Sequence, residues 1–202
     1  MKSSILRAGV ALACALGLAA CGGGDGDLYL EGTIDPGSVT KDGLVLTNNG
    51  DDLAIPAGAT SFQFANRVST DDQFDIKVKS KPSNVEDCFI RNGSARANYY
   101  TIQQISMYCV IKTHKLTVKI NGLTGTGLVI INGADSQPVA PGETQKLLAP
   151  VYEDGPYGIS ILQQPAGQTC TVSGGSGGNG TGVMGATDLG ADTAGGVVVN
   201  CA

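Results

Sequence analysis

Tryptophan is absent from this chain of 202 residues, histidine occurs once, and only 15% of the side chains are charged. One imidazole leaves little material for acid–base chemistry or for a His-rich metal site. Basic side chains are also scarce: 13 Lys and Arg stand against 18 Asp and Glu, a formal charge of −5 with a pI near 4.7. A nucleic-acid partner is excluded on that ground, because no basic surface exists to displace counterions from phosphate. Past the first twenty residues no apolar run approaches the ~20 residues of a membrane-spanning helix. What the chain does have is 42% hydrophobic residues, 30 Gly and six Cys in a length that suits one or two domains.

The N-terminus carries an address. Lys2 and Arg7 form a short basic start, and Ala8 to Ala20 run small and apolar, with Val10, Leu12, Leu16 and Leu18 as the larger side chains. This is the layout of a secretory signal, residues 1–20, too short and too rich in Ala and Gly to be a stable span. It ends in Leu18-Ala19-Ala20-Cys21, followed by a Gly/Asp-rich tether that runs to Asp27.

Those four residues resemble the lipobox of bacterial lipoproteins, in which cleavage precedes the Cys and its thiol receives a diacylglycerol. The resemblance implies lipidation (palmitate-type acyl chains) of Cys21. Gly22 after it, in place of Asp, implies the outer membrane. Two or three acyl chains supply the double signal that stable anchoring requires. Gly22 to Asp27 bridges about 20 Å at most, at 3.3–3.6 Å per residue. Loss of residues 1–20 leaves 11 basic against 18 acidic side chains, a net −7. Such a body is repelled by an anionic leaflet, so lipid is expected to do the holding.

With Cys14 lost and Cys21 acylated, Cys88, Cys109, Cys170 and Cys201 remain. Outside the reducing cytosol an even count reads as disulfides, with three possible connectivities. An internal repeat selects one. Gly43-Leu44-Val45-Leu46-Thr47-Asn48-Asn49-Gly50 matches Gly127-Leu128-Val129-Ile130-Ile131-Asn132-Gly133, and Phe74-Asp75-Ile76-Lys77-Val78 matches Tyr157-Gly158-Ile159-Ser160-Ile161. Pro82 and Cys88 then correspond to Pro165 and Cys170. An offset of roughly 84 residues is too long for a solenoid and suits tandem small domains. Each copy owns two Cys, which predicts Cys88–Cys109 and Cys170–Cys201. Free thiols or metal ligands fit poorly, since no CxxC spacing occurs.

Apolar residues alternate with polar ones in short runs, as at Leu44 and Leu46, Ile76 and Val78, Leu116, Val118 and Ile120, and Val197 and Val199. Turn formers such as Asp35-Pro36-Gly37 and Asn48-Asn49-Gly50 separate them. This predicts an all-β chain of two tandem Ig-like antiparallel β-sandwiches, over 28–112 and 115–202. The segment Val110 to Leu116 joins them with neither Gly nor Pro, so the junction should be stiff. Gly174 to Gly196 is so rich in Gly that it reads as a mobile loop pinned by Cys170–Cys201; an edge strand within Thr181 to Leu189 is the alternative.

The copies are similar to repeats in surface and secreted proteins of proteobacteria, where a G-L-V-L-x-N-N-G run precedes an aromatic strand, a Pro, a C-x-V segment and a terminal V-x-C. Gly127 to Ile130, Gln164 to Val172 and Val199-Asn200-Cys201 carry that likeness, and Cys88-Phe89-Ile90 is its looser counterpart. It implies a β-sandwich repeat and no particular activity.

Candidate chemistry is thin. His114 stands alone at the junction and reads as a solvated or capping side chain. The acidic pairs Asp51-Asp52, Asp71-Asp72, Glu86-Asp87 and Glu153-Asp154 read as solvated turns, with a glycosidase-like carboxylate pair as the rival. Asp71-Asp72-Gln73-Phe74-Asp75 is the one stretch with calcium-type oxygen ligands, and it lacks a full ligand loop. For binding, Arg91, Arg96, Tyr99 and Tyr100 combine the residue types found at interface hot spots, although a hairpin packing its Tyr side chains on its own sheet would look the same. Tyr152 and Tyr157 form a smaller group of that kind. The expectation is a lipid-anchored, non-enzymatic envelope or cell-surface protein with a protein or glycan partner and neither cofactor nor metal. An envelope hydrolase and a periplasm-facing assembly or inhibitor factor are the alternatives.

Overall fold

The computed structural model describes residues 28–202; the signal segment, Cys21 and the tether lie outside the described residues. Two β-sandwiches follow one another. The first is built from β1 (Glu31–Ile34), β2 (Leu44–Asn48), β3 (Asp51–Ile55), β4 (Ser61–Gln63), β5 (Gln73–Ser80), β6 (Val85–Arg91), β7 (Ser94–Arg96) and β8 (Ser106–Ile111). The second is built from β9 (Thr113–Asn121), β10 (Leu128–Asn132), β11 (Asp135–Val139), β12 (Gln145–Tyr152), β13 (Pro156–Gln163), β14 (Cys170–Gly174), β15 (Thr181–Val183) and β16 (Val197–Cys201). The sheets are ordered β4-β1-β8-β6 and β3-β2-β5-β7, then β12-β9-β16-β14 and β11-β10-β13-β15. The second pair repeats the first strand for strand.

Alternation decides which side chains enter the cores. In β2, Leu44, Leu46 and Asn48 are buried while Val45 and Thr47 between them are not; in β9, Leu116, Val118 and Ile120 are the buried set. The two sets of buried side chains are separate, one running from Leu30 to Cys109 and the other from Leu116 to Val199. Each sandwich therefore has its own hydrophobic driving force.

Details recur at the repeat offset. The β2–β5 ladder slips between Val45 and Leu46, and the β10–β13 ladder slips between Val129 and Ile130. Asn48 Oδ1 accepts from the Asp75 backbone N–H, and Asn132 Oδ1 accepts from that of Gly158, both at 2.9 Å. The β2–β3 hairpin turns on Asn49 and Gly50, at φ 49° and 93°, the left-handed pair that matches strand twist.

The disulfides join Cys88 to Cys109 and Cys170 to Cys201. In each case the partners lie directly opposite on antiparallel neighbours, β6 with β8 and β14 with β16. The sheets are not wholly antiparallel, because the first and last strands of each sandwich run side by side in parallel, β1 with β8 and β9 with β16. That pairing sends the end of β8 away from the start of β1 and straight into the second sandwich.

Only Lys112 separates β8 from β9. Its N–H donates to the Asn84 carbonyl of the first sandwich and its carbonyl accepts from the Glu153 N–H of the second, both at 2.9 Å. The connecting residue is thus hydrogen-bonded on both sides, and the backbone has little freedom left to hinge.

The Gly-rich segment is built into the second sandwich and is not a free loop. β15 pairs with Pro156 to Gly158 of β13, Met184 is buried, and Leu189 bridges to Leu116. Glycine is what allows the backbones to close up here. At Gly174, φ is +78° and a Cβ would fall 2.1 Å from the Gly196 carbonyl oxygen. Composition argued against a core contribution, but backbone hydrogen bonding and two apolar side chains supply one. No described helix is long and apolar enough to cross a membrane.

Candidate functional site

The two sandwiches meet around a cleft of about 560 Å³, within the ~300–1,000 Å³ range of small-ligand pockets. One wall is the turn after β1. Pro36 and Gly37 (φ +75°) reverse the chain, and Ser38 closes the turn by donating its N–H and its hydroxyl to the Asp35 carbonyl at 3.1 and 2.8 Å. A second wall is the end of β8, with Val110 and Ile111. The third is the turn Tyr152 to Pro156 of the second sandwich. There the Asp154 N–H donates to the Met184 carbonyl and the Gly155 N–H to that of Tyr152, at 2.9 and 2.8 Å.

Two carboxylates reach this cleft and both are paired. Glu153 is 6% exposed, and its Oε2 lies 3.1 Å from His114 Nε2; Asp188 approaches the other ring nitrogen at 3.8 Å. Asp154 Oδ2 is 3.0 Å from Lys41 Nζ across the junction. What remains for a ligand is apolar surface from Val110, Ile111 and Pro156, the Tyr152 ring, which is 62% exposed, and the hydroxyl of Thr40, whose oxygen accepts from Asn84 and whose proton is left to donate. The cleft thus presents an apolar floor with a hydroxyl and aromatic rim.

Several residues sit otherwise than the sequence suggests. His114 is not solvated, and Glu153 is not part of a solvated turn. β9 pairs with β12, so His114 stands opposite Val151, and the Glu153 side chain two residues on closes on the imidazole at the sheet end. Tyr157 is buried in the second core at 6% exposure, which leaves Tyr152 alone as the accessible ring of that pair. In the calcium-like stretch, Asp72 Oδ2 accepts from the Ser69 N–H and Asp75 pairs with Lys77. Among the described residues no three His, Cys, Asp or Glu side chains gather as a metal cage.

Arg91, Arg96, Tyr99 and Tyr100 are not on a hairpin, because β6 and β7 belong to different sheets. Arg91 lies over the Tyr108 ring, itself stacked on Phe89. Arg96 Nη1 donates to the Asp71 carbonyl at 3.0 Å. Tyr99 and Tyr100 open a four-residue helix, α1 (Tyr99–Ile102), and are exposed instead of packed on their own sheet. The cleft itself escaped the sequence reading, although the short junction from Val110 to Leu116 held its signal: sandwiches joined so tightly must bring their end turns together.

No protein-family model, curated protein or solved structure matches the chain.

Proposed function

We propose that this is a lipid-anchored, non-enzymatic protein of the bacterial outer membrane, a stiff two-sandwich stalk whose inter-unit cleft serves contact with a protein or glycan partner. The observation that carries the reading is Cys21, placed after an apolar leader and the residues Leu18-Ala19-Ala20. The remaining four described Cys close two bridges, as expected of a chain that matures in an oxidising compartment. The Lys112 junction supports the stalk, and the paired state of Glu153 and Asp154 favours binding over carboxylate catalysis.

Two measurements test it. Mass spectrometry of the mature N-terminus should find acylated Cys21, and Cys21→Ser should move the protein from the membrane fraction to the soluble one. An unmodified thiol with unchanged membrane fractionation would overturn the anchor. Val110→Asp and Tyr152→Ser, both at exposed positions, should reduce retention on isolated cell envelopes at least several-fold without lowering stability. Undiminished retention by both variants would remove the cleft as the contact. Protease treatment of intact cells then decides between surface display and the periplasmic face.

A further inference from the structure

All three arginines of the described residues lie on the first sandwich, and the second has none. They share one end. Arg91 closes β6 opposite Ser106, where β8 starts, and Arg96 closes β7 opposite Gln73, where β5 starts. Arg67 adjoins Val68, which bridges to Leu28, and its guanidinium sits 3.8 Å from the Tyr29 ring centroid. The junction lies at the other end of β1 and β8. The arginines therefore surround the point where the described chain begins.

Exposed aromatic rings gather at the same place. Tyr29, Tyr99 and Tyr100 are 48%, 65% and 76% exposed. Tyr29 and Tyr99 line one shallow groove together with Leu28, Ile102 and Gln103, and Tyr100 meets Tyr99 edge-on at 5.6 Å. The rings are held in place: Asn98 caps α1 by accepting from the Tyr100 and Thr101 N–H groups, and Ile102 is buried beneath. The counterpart in the second sandwich, the segment from Met184 to Gly196, contains no aromatic residue. The fold repeats without these rings, so packing does not explain them.

We infer that Tyr29, Tyr99 and Tyr100 form a second membrane contact, seating the free end of the first sandwich in the phospholipid headgroup layer. The inference rests on acylation of Cys21 as proposed above. Six residues then separate Leu28 from the lipidated Cys, and they span about 20 Å at most, so the rings are held close to the headgroups. Tyrosine suits that layer because its ring partitions toward the acyl boundary while its hydroxyl stays hydrated. Arg96 and Arg91 retain guanidinium donors suited to phosphate oxygens. Asp71 and Asp72 meet Arg96 and Ala97 through their backbone, which places two acidic residues next to that guanidinium and limits the net positive charge of the patch. The contact is therefore driven by ring partition and is only weakly sensitive to salt. Zwitterionic headgroups suffice as its partner.

The absence of Trp makes the test direct. Tyr99→Trp and, separately, Tyr152→Trp are prepared in the full acylated chain and mixed with phosphatidylcholine vesicles carrying brominated acyl chains. Trp at 99 should shift to the blue and lose at least half its emission, and should stay quenched when salt is raised to about 0.5 M. Trp at 152 should do neither, and Tyr100→Trp serves as a second reporter if the first perturbs α1. If the acylated protein co-sediments with vesicles while both reporters near α1 emit as in buffer, this contact is wrong and the anchor stands. If Cys21 is unmodified and the protein stays in solution, the anchor fails and the contact with it. A blue shift produced by soluble cell-wall glycan fragments but not by vesicles would make the patch a carbohydrate site and overturn the inference.

Discussion

Lys41 Nζ and Asp154 Oδ2, 3.0 Å apart, form the one ion pair among the described residues that joins the two sandwiches. Both side chains are nearly half exposed, so the pair contributes about 0–1 kcal/mol. The stiffness of the junction is instead expected from Lys112, hydrogen-bonded to one sandwich through its N–H and to the other through its carbonyl. Lys41→Ala should leave both sandwiches tumbling together by NMR relaxation. Insertion of a Gly-Ser pair after Lys112 should let them tumble separately. Loss of common tumbling in Lys41→Ala alone would assign the stiffness to the ion pair.

The bridges should act locally. Each closes a loop within its own sandwich, 21 residues for Cys88–Cys109 and 31 for Cys170–Cys201. Chain entropy assigns each about 3 kcal/mol, roughly 10–20 °C in the melting midpoint of a sandwich this size. Calorimetry of Cys88→Ala/Cys109→Ala should show one transition lowered and the other unmoved. A shift of both transitions would mean that the cores are coupled through the junction.

Glycine positions in the segment after Cys170 should differ sharply in tolerance. At Gly174 an added Cβ meets the Gly196 carbonyl oxygen at 2.1 Å and φ is +78°; at Gly185 nothing lies within 4 Å and φ is not positive. Gly174→Ala should cost about 2 kcal/mol or more in urea unfolding, and Gly185→Ala less than about 0.5 kcal/mol. Equal costs would show that the segment is not packed as described.

Acid should act on the first sandwich through exposed carboxylates. The Lys79 ammonium, hydrogen-bonded to Asp52, and the Thr47 side chain hold the Asp52 carboxyl below its usual range. Lys81 and the Cys88 N–H do the same for Asp87. A folded-state pKa below the unfolded one, about 3.9 for Asp, means that this stabilisation is complete above the unfolded value. It is lost as the pH falls through the folded one. Lys79→Met should raise the Asp52 midpoint in a carboxyl NMR titration and leave Asp87 unchanged. An unmoved Asp52 midpoint would refute the assignment.

Much of this was legible in the residues. Alternation from Leu44 to Leu46 and from Leu116 to Ile120 is a two-residue period that only a strand converts into one buried face. The duplication of Gly43 to Gly50 at Gly127 to Gly133 was enough to pair the cysteines. The Gly-rich stretch misled because composition counts side chains, whereas Gly174 and Gly180 work by bringing backbones together. His114 and Glu153 misled because their sequence separation of 39 hides a neighbourhood created only by the β9–β12 ladder.

By itself, then, the amino-acid order determined the strand class, the duplication and the cysteine pairing. All of these depend on local period or on spacing along the chain. Tertiary structure alone decided that Glu153 is buried against His114, that two end turns enclose a cleft, and that Tyr29 shares a groove with Tyr99. Those are contacts between residues distant in sequence. The antiparallel β9–β12 ladder brings His114 to Glu153, and the parallel pairing of first and last strands sets which strand ends lie side by side at the groove and at the cleft.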